Sequence, residues 1–176
     1  LTVTVVGSGA SSTDIFNYTQ TAAAGFDGGA LTVDGVETLN ITGTDSTTAT
    51  ITAHTIDIDA DAAKSIVVTG NSGIVLTHST TGTTVTSVDA SAVTGDVTYT
   101  AAAFAAANTV AGSATADNTV TLTAAAAVTT YTGSATGDAI VIDNNSSVDH
   151  IVNLGNGTNS VKGSTGADLT TASDGD

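Results

Sequence analysis

The residues best equipped for chemistry lie at the end of the chain, in the run GNGTNSVKGSTGADLTTASDGD (155–176). Gly157, Gly166 and Gly175 recur every nine residues, and Asn159 and Asp168 each follow a glycine by two places. That is the beat of the calcium-binding nonapeptide G-G-x-G-x-D-x-U-x in degenerate form. Its glycines permit tight turns at positive φ, its Asp or Asn supplies a hard oxygen, and its apolar U faces a stacked core. Val161 and Thr170 occupy U, while Asn156, Thr165 and Asp174 replace the first glycine. A second acidic set is Asp57, Asp59 and Asp61, which alternate with Ile56, Ile58 and Ala60. A strand would place these three carboxylates on one face, where they need either a cation among them or screening by solvent. Both readings stay open, and Lys64 is the one counter-charge nearby in sequence. Asp138 and Asp143 flank AIVI in a similar turn context, with Asp149 next. Asp34, Asp45, Asp89, Asp96 and Asp117 are further turn positions, each open to a plain Asx-turn role.

Other chemistry has little to stand on. His54, His78 and His150 are far apart and show no metal-ligand spacing, so they read as surface or edge residues. Tyr18, Tyr99 and Tyr131 read as packing or edge residues. There is no arginine, the two lysines Lys64 and Lys162 are isolated, and no G-x-S-x-G, Ser/His/Asp order or phosphate loop occurs. The chain therefore reads as non-enzymatic.

The elements that must position these residues are strands. Over 176 residues the chain carries 17 acidic groups against 2 basic ones, a formal charge of −15. A surface of that sign repels nucleic acid and anionic membrane, and it calls for divalent cations or high salt to offset its self-repulsion. Cysteine is absent, so no disulfide framework exists, and no apolar run reaches the length of a spanning helix. The apolar 40% is mostly small aliphatic, with only 3% aromatic, which suits narrow stacked layers better than a thick globular core.

Strand-like runs follow one another, among them VETLNIT (36–42), TATITA (48–53), HTIDIDA (54–60), KSIVVTG (64–70), GDVTYTA (95–101), NTVTLTA (118–124) and DAIVID (138–143). They start roughly eight to eleven residues apart, a spacing open to a sandwich, a barrel or a solenoid. The missing Pro, the lack of regular Asn-Gly hairpin pairs and the C-terminal repeats favour an all-β solenoid. Residues 1–29 read as an irregular cap or loop region with a first strand, 30–136 as parallel solenoid rungs, and 137–176 as degenerate calcium-binding repeats that continue them. The alanine run AAAFAAAN (101–108) reads as a helical turn or a tightly packed rung interior. The chain starts inside a strand pattern at Leu1 and stops inside a repeat, as a piece of a longer polypeptide would.

GVETLNIT (35–42), AKSIVVTGNSG (63–73) and SVDASAVTG (87–95), followed by the glycine-aspartate nonapeptides, together resemble the lattice-forming C-terminal part of RTX-type surface-layer proteins of Gram-negative bacteria, the caulobacter type most closely. Similar strings occur in large RTX adhesins. The resemblance covers about Ala30 to Asp176 and implies a right-handed parallel β-helix, bound Ca2+, type I secretion to the cell surface, and self-association into a two-dimensional lattice or a filament. It also implies contact with cell-surface polysaccharide through regions outside this chain, without membrane insertion or nucleic-acid binding. The calcium positions it carries over are Asn156, Gly157, Asn159, Gly166, Asp168, Asp174 and Asp176. A structural segment of a surface layer or extracellular fibre is the reading that follows. The alternative is a stalk or ligand-binding region of an RTX adhesin holding carbohydrate, cells or ice. Ice would need a regular T-x-T ladder, and Thr50/Thr52, Thr98/Thr100 and Thr119/Thr121/Thr123 are irregularly spaced pieces of one.

Overall fold

Threonine, valine and isoleucine at alternate positions favour extended backbone, because branching at Cβ suits a pleated, half-buried surface. The chain carries such alternation from end to end, and the computed structural model folds it as strands. It describes residues 2–4, 13–47, 52–79, 84–101, 104, 106–123, 127–143, 148–163 and 168–172, and among these there is no helix. Sixteen strands form two eight-stranded sheets. The first holds β1 (Thr2–Thr4), β3 (Asp27–Asp34), β5 (His54–Asp59), β7 (Ile74–His78), β9 (Val97–Ala101), β11 (Asn118–Thr123), β13 (Asp138–Asp143) and β15 (Ser160–Gly163). The second holds β2 (Ile15–Ala22), β4 (Thr38–Asp45), β6 (Ser65–Gly70), β8 (Ser87–Val93), β10 (Asn108–Ala111), β12 (Thr129–Thr132), β14 (Asp149–Asn153) and β16 (Asp168–Ala172).

Every pairing is parallel and joins a strand to the one two places on in sequence, as in β9 with β11 and β11 with β13. The fold is therefore the parallel β-solenoid expected from the strand runs. Each turn uses one strand from each sheet, so the spacing of eight to eleven residues is a half-turn. Side-chain hydrogen bonds between adjacent turns span 20 to 23 residues through much of the stack.

Inward side chains of the two sheets form continuous columns. One runs Leu39, Ile66, Val88, Val110, Tyr131 and Val152, and another runs Ile56, Leu76, Tyr99, Val120 and Ile140. All of these are buried, and each large aliphatic taken out of water contributes roughly 1.5–3 kcal/mol. Because each strand is too short to bury anything alone, this stacking is what holds the solenoid together.

Two sequence expectations change here. Residues 15–22 are not a loose cap: β2 pairs with β4 over all eight of its residues. Its alternation places Phe16 and Tyr18 over Leu39 and Ile41, so a regular strand carries the aromatics that cover the core. TATITA (48–53) supplies no strand at Thr52 and Ala53, and its first four residues lie outside the described set. The alanine run is described in part, with Ala101 ending β9 and Phe104 fully buried.

Tyr99 is 2% exposed, and its hydroxyl has no hydrogen-bond partner among the described residues. It lines a small apolar cavity of ≈ 10 Å³ shared with Leu76, Val88, Val110 and Val120. One water at most fits such a space, and the other walls offer it no polar anchor. Burial alone pushes the Tyr99 phenol well above its ordinary pKa. Because an unpaired buried hydroxyl costs about 1–3 kcal/mol, Tyr99→Phe is expected to raise the midpoint of urea unfolding. A clear loss of stability in that variant would mean that the hydroxyl has a partner.

Candidate functional site

The polar interior of the solenoid is concentrated at one corner, where even strands hand over to odd ones. The loops there are GSATADN (112–118), GSATGD (133–138) and GNGTNS (155–160), and they stack turn on turn. The first two end on residues that begin the next strand and point inward, Asn118 and Asp138, whereas in the third Asn159 stands one place before β15 and is half-buried. Asn118 and Asp138 are register partners, at 1% and 2% exposure.

In the first loop the Asn118 side chain folds back over its own turn. Its Oδ1 accepts from the Ser113 amide at 2.7 Å, and its Nδ2 donates to the carbonyls of Ser113 at 3.0 Å and Ala116 at 3.3 Å. The same Nδ2 donates at 2.8 Å to Asp138 Oδ1 in the turn above. Asp138 repeats the arrangement as a pure acceptor. Its Oδ2 takes the Ser134 amide at 3.0 Å, while Oδ1 also takes the hydroxyls of Tyr131 and Ser134, each at 3.3 Å. Four donors thus replace the water that a buried carboxylate would otherwise lack. Burial first, and then the Asp138 charge beside it, raise the pKa of Tyr131 far above its ordinary value, so the phenol stays a donor.

Two glycines make the folding-back possible. A Cβ at Gly112 would meet the Asn118 side-chain amide, and one at Gly133 would meet the Asp138 carboxylate. The serine after each glycine caps its turn, since Ser113 Oγ accepts from the amides of Thr115 and Ala116, and Ser134 Oγ accepts from that of Thr136. The third loop is looser. Gly155 and Gly157 take positive φ, 72° and 103°, and Asn159 Nδ2 reaches the carbonyls of Gly155 at 3.3 Å and Asn156 at 3.5 Å. Asn159 Oδ1 accepts from the Asp138 amide at 2.9 Å. On the outer rim, Asp117 Oδ1 accepts from the Gly137 amide at 2.8 Å, and Asp96 Oδ1 accepts from the Asp117 amide at 3.3 Å.

The residues expected to bind calcium can be placed one by one. A turn-bound calcium takes about six to eight oxygens, carboxylate and carbonyl alike. Here the Asn159 oxygen is spent on a backbone amide, its nitrogen covers the two carbonyls, and the Asp138 carboxylate is filled by four donors. Asn156 and Gly157 are exposed. The oxygens of Asn159 and Asp138 are thus engaged in hydrogen bonds within the corner. Asp57 and Asp59 stand outward on β5, level with Ala30 and Thr32, and Asp61 is exposed in the turn that follows. Asp149 is exposed at the head of β14, in register with Asp168 of β16. Asp143 closes β13 opposite Thr123, while Gly166, Asp174 and Asp176 lie outside the described residues. Among the described residues, no group of three or more His, Cys, Asp or Glu converges as a metal site.

The turn aspartates behave as Asx caps. Asp45 Oδ1 accepts from the amide and the hydroxyl of Thr47, Oδ2 accepts from the Thr52 amide, and these bonds hold its carboxyl below the usual range. Asp89 caps Ser91 in the same way.

The histidines are not at the surface. His54 and His150 are 0% exposed and His78 is 1% exposed. His54 Nδ1 accepts from the Phe26 amide at 3.1 Å and Nε2 meets the Thr44 carbonyl at 3.1 Å, a pair of contacts that requires the Nε2–H tautomer. His150 Nδ1 accepts from the Thr129 amide at 3.2 Å.

Outside the corner, the outer face of the first sheet is ordered in a way that sequence spacing conceals. Thr98 lies beside Thr119 and Thr100 beside Thr121, with Thr77 next to Thr100. The uneven intervals along the chain thus become aligned rows in space. On the second sheet, Thr42 and Thr69 share a 3.1 Å hydroxyl contact, and Asn40 donates to Asn17 at 2.8 Å. Comparison with family models, with curated proteins and with solved structures finds no match to this chain.

Proposed function

We propose that this chain is a structural, non-enzymatic segment of a secreted β-solenoid, built to associate with copies of itself in a surface layer or extracellular fibre. One observation carries the reading: both sheets run parallel across eight strands, so the outer faces are extended, and they are lined largely by Thr, Ser and small aliphatics. The carboxylates outside the core stand mainly in the turns and on β5, and this leaves the middle of each face free of strong self-repulsion. The calcium expected from the RTX resemblance belongs to the same proposal.

The expected result is concentration-dependent growth of ordered sheets or fibres in electron microscopy, matched by a rising mass in sedimentation. Monomeric rods at every concentration would overturn the reading. The aligned threonine rows on β9 and β11 favour a second reading, an adhesin stalk that presents a regular hydroxyl surface to a ligand. Monomeric rods that bind on a glycan array, or that restrain ice growth, would support it instead.

A further inference from the structure

We propose that Asn156 is a site of spontaneous covalent modification, where the Gly157 nitrogen closes on the side chain and expels its amide as ammonia, and that the stacking of the solenoid keeps this labile pair in place. Asn-Gly occurs once in the chain, at 156–157. Both residues are exposed in the turn between β14 and β15. The Asn156 side chain has no hydrogen-bond partner among the described residues, and Gly157 lies outside every described strand, so no ladder bond holds its N–H.

Other asparagines of the solenoid are held where this one is not. Asn118 is 1% exposed and bonded through both ends of its amide, Asn71 bridges the Asp45 backbone, Asn40 donates to Asn17, and Asn159 spans its own turn. Each of these is also followed by a residue with a Cβ, which crowds the approach of the backbone nitrogen to Cγ. Asn156 alone precedes a glycine, and the turn dictates that glycine: its φ is 103°, and a Cβ there would meet the Thr136 carbonyl of the adjoining turn. A bulkier residue at 157 would slow the chemistry only by breaking the stack.

Water is the only co-reactant. The Gly157 nitrogen gives its proton to solvent base and attacks Asn156 Cγ, the bond from Cγ to the side-chain nitrogen breaks, and that nitrogen leaves as ammonia with a proton from solvent. The product is a cyclic succinimide, and nothing is oxidised or reduced. Water then adds to either ring carbonyl, and opening gives aspartate or isoaspartate. Both products add a carboxylate to an already acidic chain, and isoaspartate also lengthens the backbone by a methylene. The turn has no slack for that length, since even a Cβ on Gly155 or Gly157 would meet the carbonyls of Ser134 or Thr136. The strain falls beside Asn159, whose Oδ1 takes the Asp138 amide at 2.9 Å, so the last turns should loosen.

The experiment ages the whole chain in mildly alkaline buffer and follows it by peptide mapping in a mass spectrometer, with a protein isoaspartate methyltransferase as the probe for isoaspartate. The peptide that carries Asn156 is expected to show the amide-to-acid mass change several-fold faster than any other asparagine, to accept methyl groups, and to convert faster as pH rises, because the deprotonated amide is the nucleophile. Asn156→Gln should keep the β spectrum and lose most of the methyl acceptance. A residue of signal is left to the Asp-Gly pairs at 27–28, 34–35 and 174–175, which close more slowly because their carboxyl is the poorer electrophile. The aged wild type is expected to melt at least about 3 °C below Asn156→Gln aged alongside it. Conversion at 156 no faster than at the other asparagines overturns the proposal, and so does methyl acceptance undiminished in Asn156→Gln. Isoaspartate at 156 without a lower melting midpoint overturns the claim that the turn is too tight to take it. All of these readouts use dissolved chains, so they stand or fall apart from sheet or fibre growth.

Discussion

Asp138→Ala is expected to destabilise the chain by about 3 kcal/mol or more, seen as a fall of roughly 6–12 °C in the thermal midpoint for a chain of this size. The cost arises from what the carboxylate leaves behind. Asn118 Nδ2 keeps two carbonyl acceptors, and Ser134 Oγ keeps its contact with Thr136. Tyr131 has no second acceptor among the described residues, however, and the Ser134 amide loses the oxygen that closes its turn. Each buried group left unpaired costs about 1–3 kcal/mol. The double variant Tyr131→Phe/Asp138→Ala should recover part of the loss, because it removes one of the stranded donors. Gly133→Ala should damage the same network from the other side, as its Cβ would meet the carboxylate. If Asp138→Ala melts within a degree or two of the wild type, the corner is not held by this carboxylate.

How much of this was legible in the sequence differs between strands and turns. Parallel strands buried on one face announce themselves by alternation, and runs such as GDVTYTA and NTVTLTA land on β9 and β11 within two residues. The histidines were legible by the same rule. His54 is in phase with Ile56 and Ile58, His78 with Ile74 and Leu76, and His150 with Val152, so alternation alone assigns all three to the core. Reading them as surface residues gave their polarity more weight than their phase.

The corner was harder. An Asp or Asn in a turn offers the same oxygen to a metal, to a backbone amide or to a neighbouring side chain, and only three-dimensional placement settles which takes it. A signal did exist in the pair GSATADN and GSATGD, which begin at Gly112 and Gly133, one full turn of the solenoid apart. The nonapeptide beat is half as long and drew attention to the exposed ends of the loops. Threonine rows were illegible for a related reason: turns of unequal loop length place residues in register at intervals that look irregular along the chain.

Acidification from pH 7 to pH 5 is expected to produce a large loss of stability, and His78 and His150 are its source. His78 sits at the end of β7 between Ile58 and Ala101 in register, and neither ring nitrogen has a partner among the described residues. Burial pulls its pKa below the ordinary 6.5, against the smaller opposing pull of the Asp59 and Asp61 carboxylates. Burial likewise lowers His150, with Asp149 opposing, and a proton on its Nδ1 would break the bond from the Thr129 amide. Both groups are therefore neutral in the folded chain at a pH where the unfolded chain has taken up protons.

Stability is then full above pH 6.5 and falls below it, by up to about 1.4 kcal/mol per pH unit for each histidine, until the folded-state pKa is reached. Ordinary carboxylates stay ionised over most of this window, so relief of their mutual repulsion does not mask the effect. The Asp45 carboxyl, held low by its turn bonds, adds its own loss only below pH 4. His78→Leu should flatten the profile between pH 7 and pH 5 and leave the His150 share intact. His78→Leu/His150→Leu should reduce the slope further than either single variant. Urea midpoints measured at half-unit steps decide the matter, and a wild-type profile that stays level down to pH 5 would mean that the buried rings accept protons without cost.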